Sequence, residues 1–489
     1  MIRLLSLSIA LVAICLAPSI QAQVVARVET PRNIDNGGYI IPMGERGVLR
    51  QSFLKKKEKN KPVFKTMHFD TDLKLVHSDS VIVERNMSFD DTISHNGIYY
   101  CILRDNRDNF TVVGYNPSTG HNSTVSGKFR KKASMRNLVM NDNYIVFSST
   151  EKKLDRLGII NLNTGECRYT DMHFKDIRDQ YIYILDNVII DGKIHALVRF
   201  GADVVLMKLD FDGTFVGLPA ILTANLTNHH ILTASLSKAG GQYFVTGTYT
   251  DKERGDATKI AQGIYFGQFN GETFTFIKFY NFLDLKNFTQ YMSEKGQEKI
   301  ERNKEKAKKK GKTFSKEYYI ASHDIVEQGD NYYYIGEAYF PTYSSIYTGR
   351  GFITQFAGFS YTHAFIVKFD REGNIIWDNC FPIKPKRLPF YVKRFINTLY
   401  TSNQVNALYV DDNKLIFKTF DASTGSIIKD RSEEAMETDV ESEKVNKSKN
   451  ADAEYWFGNN FLIFGDQQVK NDAEKSRREV YFINKLTVK

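Results

Sequence analysis

The sequence has few cysteines, four among 489 residues, and no two of them are adjacent. Beyond the N-terminal segment only Cys101, Cys167 and Cys380 remain, an odd number at wide spacings. A disulfide framework is therefore excluded as the support of this fold. We expect these thiols to be small apolar residues inside strands, with a single bridge among them as the alternative.

Long apolar runs are almost as scarce. One run, Leu4 to Leu16, follows Arg3 and precedes a small residue at Ala22, which predicts a secretory signal peptide over residues 1–22. No later stretch approaches the roughly 20 apolar residues needed to cross a bilayer. We expect an exported protein, periplasmic, associated with the outer surface or secreted, that is not an integral membrane protein.

An excess of positive charge is confined to two segments. The net charge is +9, and residues 293–317 hold ten Lys or Arg against five Glu, while residues 55–61 hold five Lys against one Glu. These two segments account for the whole excess, so the rest of the chain is close to neutral. A nucleic-acid groove spread over the fold is therefore not expected.

What the chain has in abundance is a repeat of one strand and one polar turn. Copies begin at Val63, Phe110, Arg156, Asp203, Gly263, Ala364, Leu415 and Glu479. The first four are spaced at roughly 46 residues, and a second strand precedes each copy, so one unit has room for four short strands. Units of this size are typical of the blades of a β-propeller.

The repeat predicts an all-β fold, an eight-bladed β-propeller, with seven blades as the alternative. The propeller would form one domain over residues 23–489, and the strand-like segment Gln23–Thr30 would complete the last blade and close the ring. Two segments interrupt the regular spacing of the repeat. We expect a charged helical or mobile insertion at about 285–320 and an acidic loop at about 430–450.

The turns of the repeat resemble those of quinoprotein-type (PQQ-like) β-propellers, in which Asp, Thr and Gly are followed by an aromatic residue. Asp421, Thr424 and Gly425 match the first part of this pattern, but Lys429 stands where the aromatic residue would be. Asn161, Thr164, Gly165 and Tyr169 match it with Asn in place of Asp, and Asp370, Gly373 and Trp377 form a shortened version. The family includes quinone-dependent dehydrogenases, which clamp the quinone with adjacent cysteines, and non-enzymatic scaffolds. This chain has no adjacent cysteines, so the resemblance implies the non-enzymatic type without a cofactor.

Recognisable catalytic motifs are absent from the sequence. It contains no His-Glu-x-x-His, no Gly-x-Ser-x-Gly and no nucleotide-binding glycine pattern. His229 and His230 are adjacent, but neighbours in a strand point to opposite sides, so no metal site is predicted. Whether the protein is an enzyme is left open, and a non-enzymatic role is favoured.

The most promising surface is an aromatic segment, residues 339–363, which interrupts the hairpin of one unit. We predict that its ligand-binding residues are Tyr343, Tyr347, Arg350 and Tyr361, because aromatic faces bind sugars or peptide side chains and a guanidinium binds anions. The alternative is that Phe352, Phe356 and Phe359 fold inward as a small satellite core.

These observations favour an exported, non-catalytic and monomeric scaffold that binds a protein or a glycan at the cell envelope. The alternative is a carbohydrate-active hydrolase or lyase built on the same propeller, since two carboxylates from distant blades can meet without any local motif.

Overall fold

The computed structural model describes residues 22–32, 34–35, 38–151, 154–172, 182–200, 203–222, 228–239, 241–251, 259–347, 349, 351–436, 438, 440, 442–471 and 474–488. These residues form 34 β-strands in seven sheets and one α-helix. Residues 1–21 of the predicted signal peptide lie outside the described residues, so export stays a prediction.

The strands form sheets in the order of the chain, apart from the first strand, β1 (Ala22–Pro31). The first sheet contains β2 (Tyr39–Pro42), β3 (Val48–Phe53), β4 (Val63–Phe69) and β5 (Leu75–Ile82). The second sheet contains β6 (Ser88–His95), β7 (Ile98–Arg104), β8 (Asn109–Asn116) and β9 (His121–Lys128). The third sheet contains β10 (Arg136–Met140), β11 (Tyr144–Glu151), β12 (Leu154–Asn161), β13 (Cys167–Asp171), β14 (Ile182–Ile190), β15 (Lys193–Phe200), β16 (Asp203–Leu209) and β17 (Ala220–Ile221).

The remaining sheets follow the same plan. The fourth contains β18 (His229–Ile231), β19 (Ser235–Ala239), β20 (Gln242–Asp251), β21 (Gly263–Phe269) and β22 (Phe274–Asn281). The fifth contains β23 (Tyr319–Ser322), β24 (Val326–Gln328), β25 (Asn331–Tyr347), β26 (Phe352–Phe369) and β27 (Ile375–Pro382). The sixth contains β28 (Asn397–Tyr400), β29 (Gln404–Asp411), β30 (Lys414–Asp421) and β31 (Ile427–Ala435). The seventh contains β32 (Glu443–Phe457), β33 (Asn460–Asn471) and β34 (Ser476–Val488), together with β1.

All eight copies of the sequence repeat lie on strands. Each copy forms the third strand in an antiparallel run of four: β4, β8, β12, β16, β21, β26, β30 and β34. The strand before each copy is its hairpin partner, as Tyr99 of β7 opposite Tyr115 of β8 illustrates. The repeat therefore predicted the strands and their pairing correctly.

These third strands are buried on both faces, because each sheet lies between two others. In β8, Val112 packs into an apolar cluster shared with the third sheet, whereas its neighbour Val113 packs into one shared with the first. In β30, Ile416 likewise packs toward the fifth sheet and Phe417 toward the seventh. Successive strand residues point to opposite sides, so an unbroken apolar strand marks a sandwiched position.

The series of sheets packs back onto its own beginning. Met67 and Phe69 of the first sheet share an apolar cluster with Leu462 and Ile483 of the seventh. Trp456 lies in the same cluster and donates its indole N–H to the carbonyl oxygen of Gly47 at 2.7 Å. Antiparallel sheets that pack face to face in a closed ring define an all-β fold, the β-propeller.

The two ends of the described chain share the seventh sheet. Strand β1 pairs with β34 in antiparallel fashion, from Ala22 opposite Val488 to Pro31 opposite Val480. Without β1, the backbone groups along one side of β34 would form an exposed edge. The prediction that the N-terminal strand completes the last sheet is confirmed.

The turn between β26 and β27 connects two neighbouring sheets. Asp370 accepts the N–H of Asn374 at 2.7 Å, and Gly373 has a positive φ of 75° that a glycine adopts without strain. Trp377 then packs on the equivalent turn of the sixth sheet, where a Cβ added to Gly425 would lie 2.7 Å from its ring. The indole N–H of Trp377 donates to the carbonyl oxygen of Ala422 at 3.1 Å.

The charged insertion at about 285–320 contains the α-helix of the described residues, α1 (Glu294–Lys308). Its one buried residue is Ile300, and Lys304 donates to the carbonyl oxygen of Leu283 at 3.1 Å. None of the described helices is both long enough and apolar enough to pass through a membrane.

The acidic stretch at about 430–450 differs from the loop that we expected. Its first part belongs to β31 and its last part to β32. Glu433 pairs there with Lys414 at 2.6 Å and with Arg431 at 2.9 Å. Charged residues suit the outer strand of a sheet because they discourage pairing with another chain, and such a strand resembles a solvated loop in sequence.

Candidate binding surface

The aromatic segment forms a projecting β-hairpin, which we call the arm and define as residues 340–359. Strand β25 pairs with β23 only as far as Tyr339, and β26 pairs with β27 only from His363 onward. Between these points the two strands pair with each other and extend beyond the rest of the fifth sheet. The aromatic segment therefore does not interrupt the hairpin but extends it as a two-stranded arm.

The register of the arm separates its side chains into two faces. Tyr343 lies opposite Phe356 and Tyr347 opposite Phe352, on what we call the aromatic face, where their ring centroids are 5.8 Å and 5.3 Å apart. Ile346 lies opposite Ile353 on the other face. This alternation follows from the period of two along a strand.

The structure separates the four predicted ligand-binding residues. Tyr343 and Tyr347 are exposed on the arm, at 63% and 65% of their surface. Arg350 lies outside the described residues, so its role stays a prediction.

Tyr361 lies at the base of the arm and is buried. Its hydroxyl donates to the carbonyl oxygen of Lys393 at 2.6 Å and accepts the N–H of the same residue at 2.8 Å. Burial also raises the pKa of this phenol. Tyr361 thus holds a neighbouring loop in place, and its role in ligand binding stays a prediction.

The alternative of a satellite core holds for part of the arm only. Phe356 and Phe359 are partly buried and their ring centroids lie 5.0 Å apart. Phe359 packs further against the apolar cluster between the fifth and sixth sheets. Phe352, in contrast, is 76% exposed, so the base of the arm is packed and its tip is bare.

The loop held by Tyr361 is strongly basic, and we call residues 384–394 the basic loop. It contains five Lys or Arg and no Asp or Glu. Its carbonyl oxygen at Pro389 accepts the N–H of Phe359 at 2.8 Å, and the ring centroid of Phe390 lies 6.1 Å from that of Phe356. Phe390 and Tyr391 are exposed, so the basic loop extends the aromatic face of the arm. Sequence reasoning missed this loop, although its composition was a usable signal.

A cleft of about 410 Å³ lies between the basic loop and the middle of β32, lined by Phe390, Tyr391, Lys449 and Asp452 among others. Its charges are largely paired, since Lys393 contacts Asp452 at 2.6 Å and Lys386 contacts Asp412 at 2.8 Å. The cleft therefore gives the surface a concave shape but contributes little unpaired charge.

A second group of polar residues lies where the first strands of successive sheets meet. These strands contact one another across sheet boundaries, so they converge on the axis of the ring. Asp186 of β14 accepts the N–H of Leu236 at 2.8 Å, and Arg394 donates to Asp324 at 3.3 Å. Burial raises the pKa of Asp186 to about 7, and the nearby Asp324 carboxylate raises it as well.

The histidines contact aromatic rings and a buried carboxylate inside the fold. Strand β18 places the His229 ring against Tyr249 and Phe279, and His230 is buried. His323 lies 2.8 Å from the carboxylate of Glu337. Among the described residues no group of three or more His, Cys, Asp or Glu side chains is arranged to hold a metal ion. The three cysteines described are unpaired and lie in β7, β13 and β27.

The described part of the chain is a β-propeller scaffold from which the arm projects, with the basic loop packed beside its base. No family model and no curated protein matches the sequence. Among solved structures, it resembles the dihydro-heme d1 dehydrogenase NirN, with 9% identity and a TM-score of 0.43 over 94% of this chain and 79% of that one. It also resembles the Dos1 propeller, with 8% identity and a TM-score of 0.42 over 95% of each chain.

The polysaccharide lyase Uly1 is a further structural match, with 8% identity and a TM-score of 0.39 over 95% of this chain and 99% of that one. The names of these proteins cover both enzymes and a propeller without a stated activity. They do not indicate what this chain binds or whether it catalyses a reaction.

Proposed function

We propose that this protein is an exported, non-catalytic β-propeller that acts as a protein- or glycan-binding scaffold at the cell envelope. The observation that carries the proposal is the arm, whose aromatic face stands clear of the fifth sheet with Tyr343 and Tyr347 exposed. Large aromatic side chains presented together on a rigid hairpin are typical binding elements, because they add contact area at a low entropic cost. Arg350 would add a charged contact.

We further propose that the ring has eight blades and that its turns belong to the quinoprotein-type repeat. The eight-stranded third sheet would then count as two blades. Its halves are joined by a single parallel pair, Leu154 with Ile182, while Leu157 and Ile159 of one half pack in one apolar cluster with Ile184 and Ile194 of the other. Face-to-face packing of this kind supports two blades more than one continuous sheet.

Replacing Tyr343 and Tyr347 together with Ala should weaken ligand binding by at least about tenfold, because truncating central aromatic contacts removes the largest contributions to an interface. Binding of the wild-type protein to an array of cell-envelope glycans and peptides identifies the ligand, and titration calorimetry of both proteins gives the affinities. Tyr455→Ala, at another partly exposed tyrosine, is the matched control and should bind normally. Equal affinities for the double variant and the wild type would exclude the aromatic face as the site.

A carbohydrate-active enzyme is the second candidate, and Asp186 is the observation that favours it. A carboxyl group with a pKa of about 7 is still partly protonated at neutral pH and can act as a general acid. The nearby Asp324 and Arg394 would supply the second carboxylate and a contact to substrate.

If the protein cleaves a polysaccharide in this way, activity should fall as the pH rises above about 7, since Asp186 then loses its proton. Asp186→Asn should abolish the activity, whereas Asp191→Asn, at an exposed carboxylate near the end of the same strand, should leave it unchanged. Release of reducing ends or of unsaturated products from a polysaccharide panel is the measurement. Saturable binding without turnover would instead support the scaffold.

A further inference from the structure

The arm has a second apolar surface that a ligand on its aromatic face does not use. Ile346 and Ile353 lie opposite each other on the reverse face and are 49% and 57% exposed. Tyr347 and Phe352, at the same level of the hairpin, are exposed on the aromatic face. We call these four residues the arm tip. It is apolar on both sides, so only surroundings that enclose it can bury it completely.

The arm and the basic loop together carry positive charge and no acidic residue of their own, although Lys386 and Lys393 of the basic loop pair with Asp412 and Asp452 of other segments. No Asp or Glu occurs over residues 338–369, which include the arm, or over residues 379–410, which include the basic loop. Lys384, Lys386 and Arg387 of the basic loop are exposed. The ring contact between Phe390 and Phe356 keeps this loop beside the base of the arm. A partner that meets both the arm and the basic loop must therefore tolerate or carry negative charge.

These features distinguish between the surfaces that the arm tip could meet. A glycan or an extended peptide stacks on one face of a hairpin and leaves the reverse isoleucines in water. The headgroup region of a bilayer encloses both faces, accommodates tyrosine and phenylalanine, and places lysine and arginine beside the headgroups. Anionic headgroups complement a basic segment that has no acidic residue of its own.

We propose that the arm tip enters the interface of a lipid bilayer with anionic headgroups and that the basic loop lies against those headgroups. Attachment of this kind is peripheral, because only a hairpin tip enters and no segment crosses. It goes beyond the ligand binding proposed above, since it depends on Ile346 and Ile353, which lie on the opposite face from Tyr343. The propeller would then be held at a membrane surface with its remaining loops free.

The test is co-sedimentation of the full mature chain with vesicles of phosphatidylcholine alone or mixed with phosphatidylglycerol. We expect binding to the mixed vesicles at least about tenfold tighter than to phosphatidylcholine alone. Raising the salt from 0.1 M to 1 M, which shortens the Debye length from about 10 Å to about 3 Å, should weaken it strongly. Failure to bind the mixed vesicles at low salt would overturn the proposal.

Variants on the reverse face test the arm tip itself. Ile346→Thr with Ile353→Thr keeps β-branched residues in the hairpin and should reduce vesicle binding at least about tenfold. Ile376→Thr, at an exposed isoleucine of β27 in the same sheet, is the matched control and should bind as the wild type does. Unchanged binding by the double variant would overturn the proposal.

A comparison with Tyr343→Ala separates this proposal from the ligand-binding proposal. Tyr343 lies closer to the base of the arm, so its loss should leave vesicle binding within about twofold of the wild type while weakening any glycan or peptide ligand. Binding of an acidic polysaccharide or an acidic protein that needs Ile346 and Ile353, without vesicle binding, would assign the arm tip to that partner and reject the membrane.

Discussion

Replacing Glu337 with Ala should lower the free energy of unfolding by about 3 to 5 kcal/mol, because it removes a buried carboxylate and leaves its hydrogen-bond donors unpaired. Glu337 is completely buried in β25. It accepts the backbone N–H groups of Phe395 and Ile396, both at 2.8 Å, and lies 2.8 Å from Nε2 of His323. The change would leave these donors without an acceptor in the protein interior, where each unsatisfied group costs about 1 to 3 kcal/mol.

Urea unfolding followed by circular dichroism measures this effect. Glu327→Ala, at an exposed glutamate on the neighbouring strand β24, is the matched control and should change the stability by less than about 0.5 kcal/mol. A loss below about 1 kcal/mol for Glu337→Ala would show that water replaces the carboxylate. Because Phe395 directly follows the basic loop, we also expect faster proteolysis within residues 384–394 in this variant.

Trp456→Ala should cost a similar amount, about 3 to 5 kcal/mol, because it opens a cavity between the seventh and first sheets. Trp456 is buried with Leu462 and Ile483 against Met67 of the first sheet. It also donates its indole N–H to the carbonyl oxygen of Gly47. The contacts with Met67 and Gly47 join the seventh sheet to the first, so the variant weakens the closure of the ring directly.

Trp456→Phe separates the two contributions, since it keeps most of the ring volume and loses only the hydrogen bond. We expect a loss of about 1 kcal/mol for this variant. Tyr455→Ala, at the exposed neighbouring position, should be close to neutral. Equal stability of Trp456→Ala and the wild type in thermal unfolding would contradict the role assigned to this contact.

The regular part of the fold was accessible from sequence because it repeats. Third strands such as β8, β12 and β30 are mainly apolar and end in turns that contain Asn or Asp. The spacing of these runs along the sequence places the strands between them. The closure by β1 was accessible for a related reason, since the last repeat ends without an outer strand. At these positions the local sequence pattern favours the same structure as the packing of the whole fold.

The functional surface was less accessible, because it depends on contacts between distant residues. Tyr361 resembles the exposed Tyr343 and Tyr347 in residue type, yet it is buried and its hydroxyl bonds to Lys393, 32 positions away. Asp186 and Leu236 are 50 positions apart and meet only when two sheets pack. The arm did carry a local signal, as Tyr343, Ser345 and Tyr347 alternate with the period of a strand, but its Ser, Thr and Gly content suggested a loop.

The pairing of β1 with β34 also constrains the order of events during synthesis. Arg27 of β1 donates to Asn484 of β34, a partner 457 positions later in the chain. At ribosomal rates of about 5 to 20 residues per second, β1 must wait roughly 20 to 90 s for this strand. During that interval β1 has no native partner, so chaperones that prevent premature strand pairing can bind it. Closure of the ring, and the resistance to proteases that comes with it, therefore depends on the synthesis of β34.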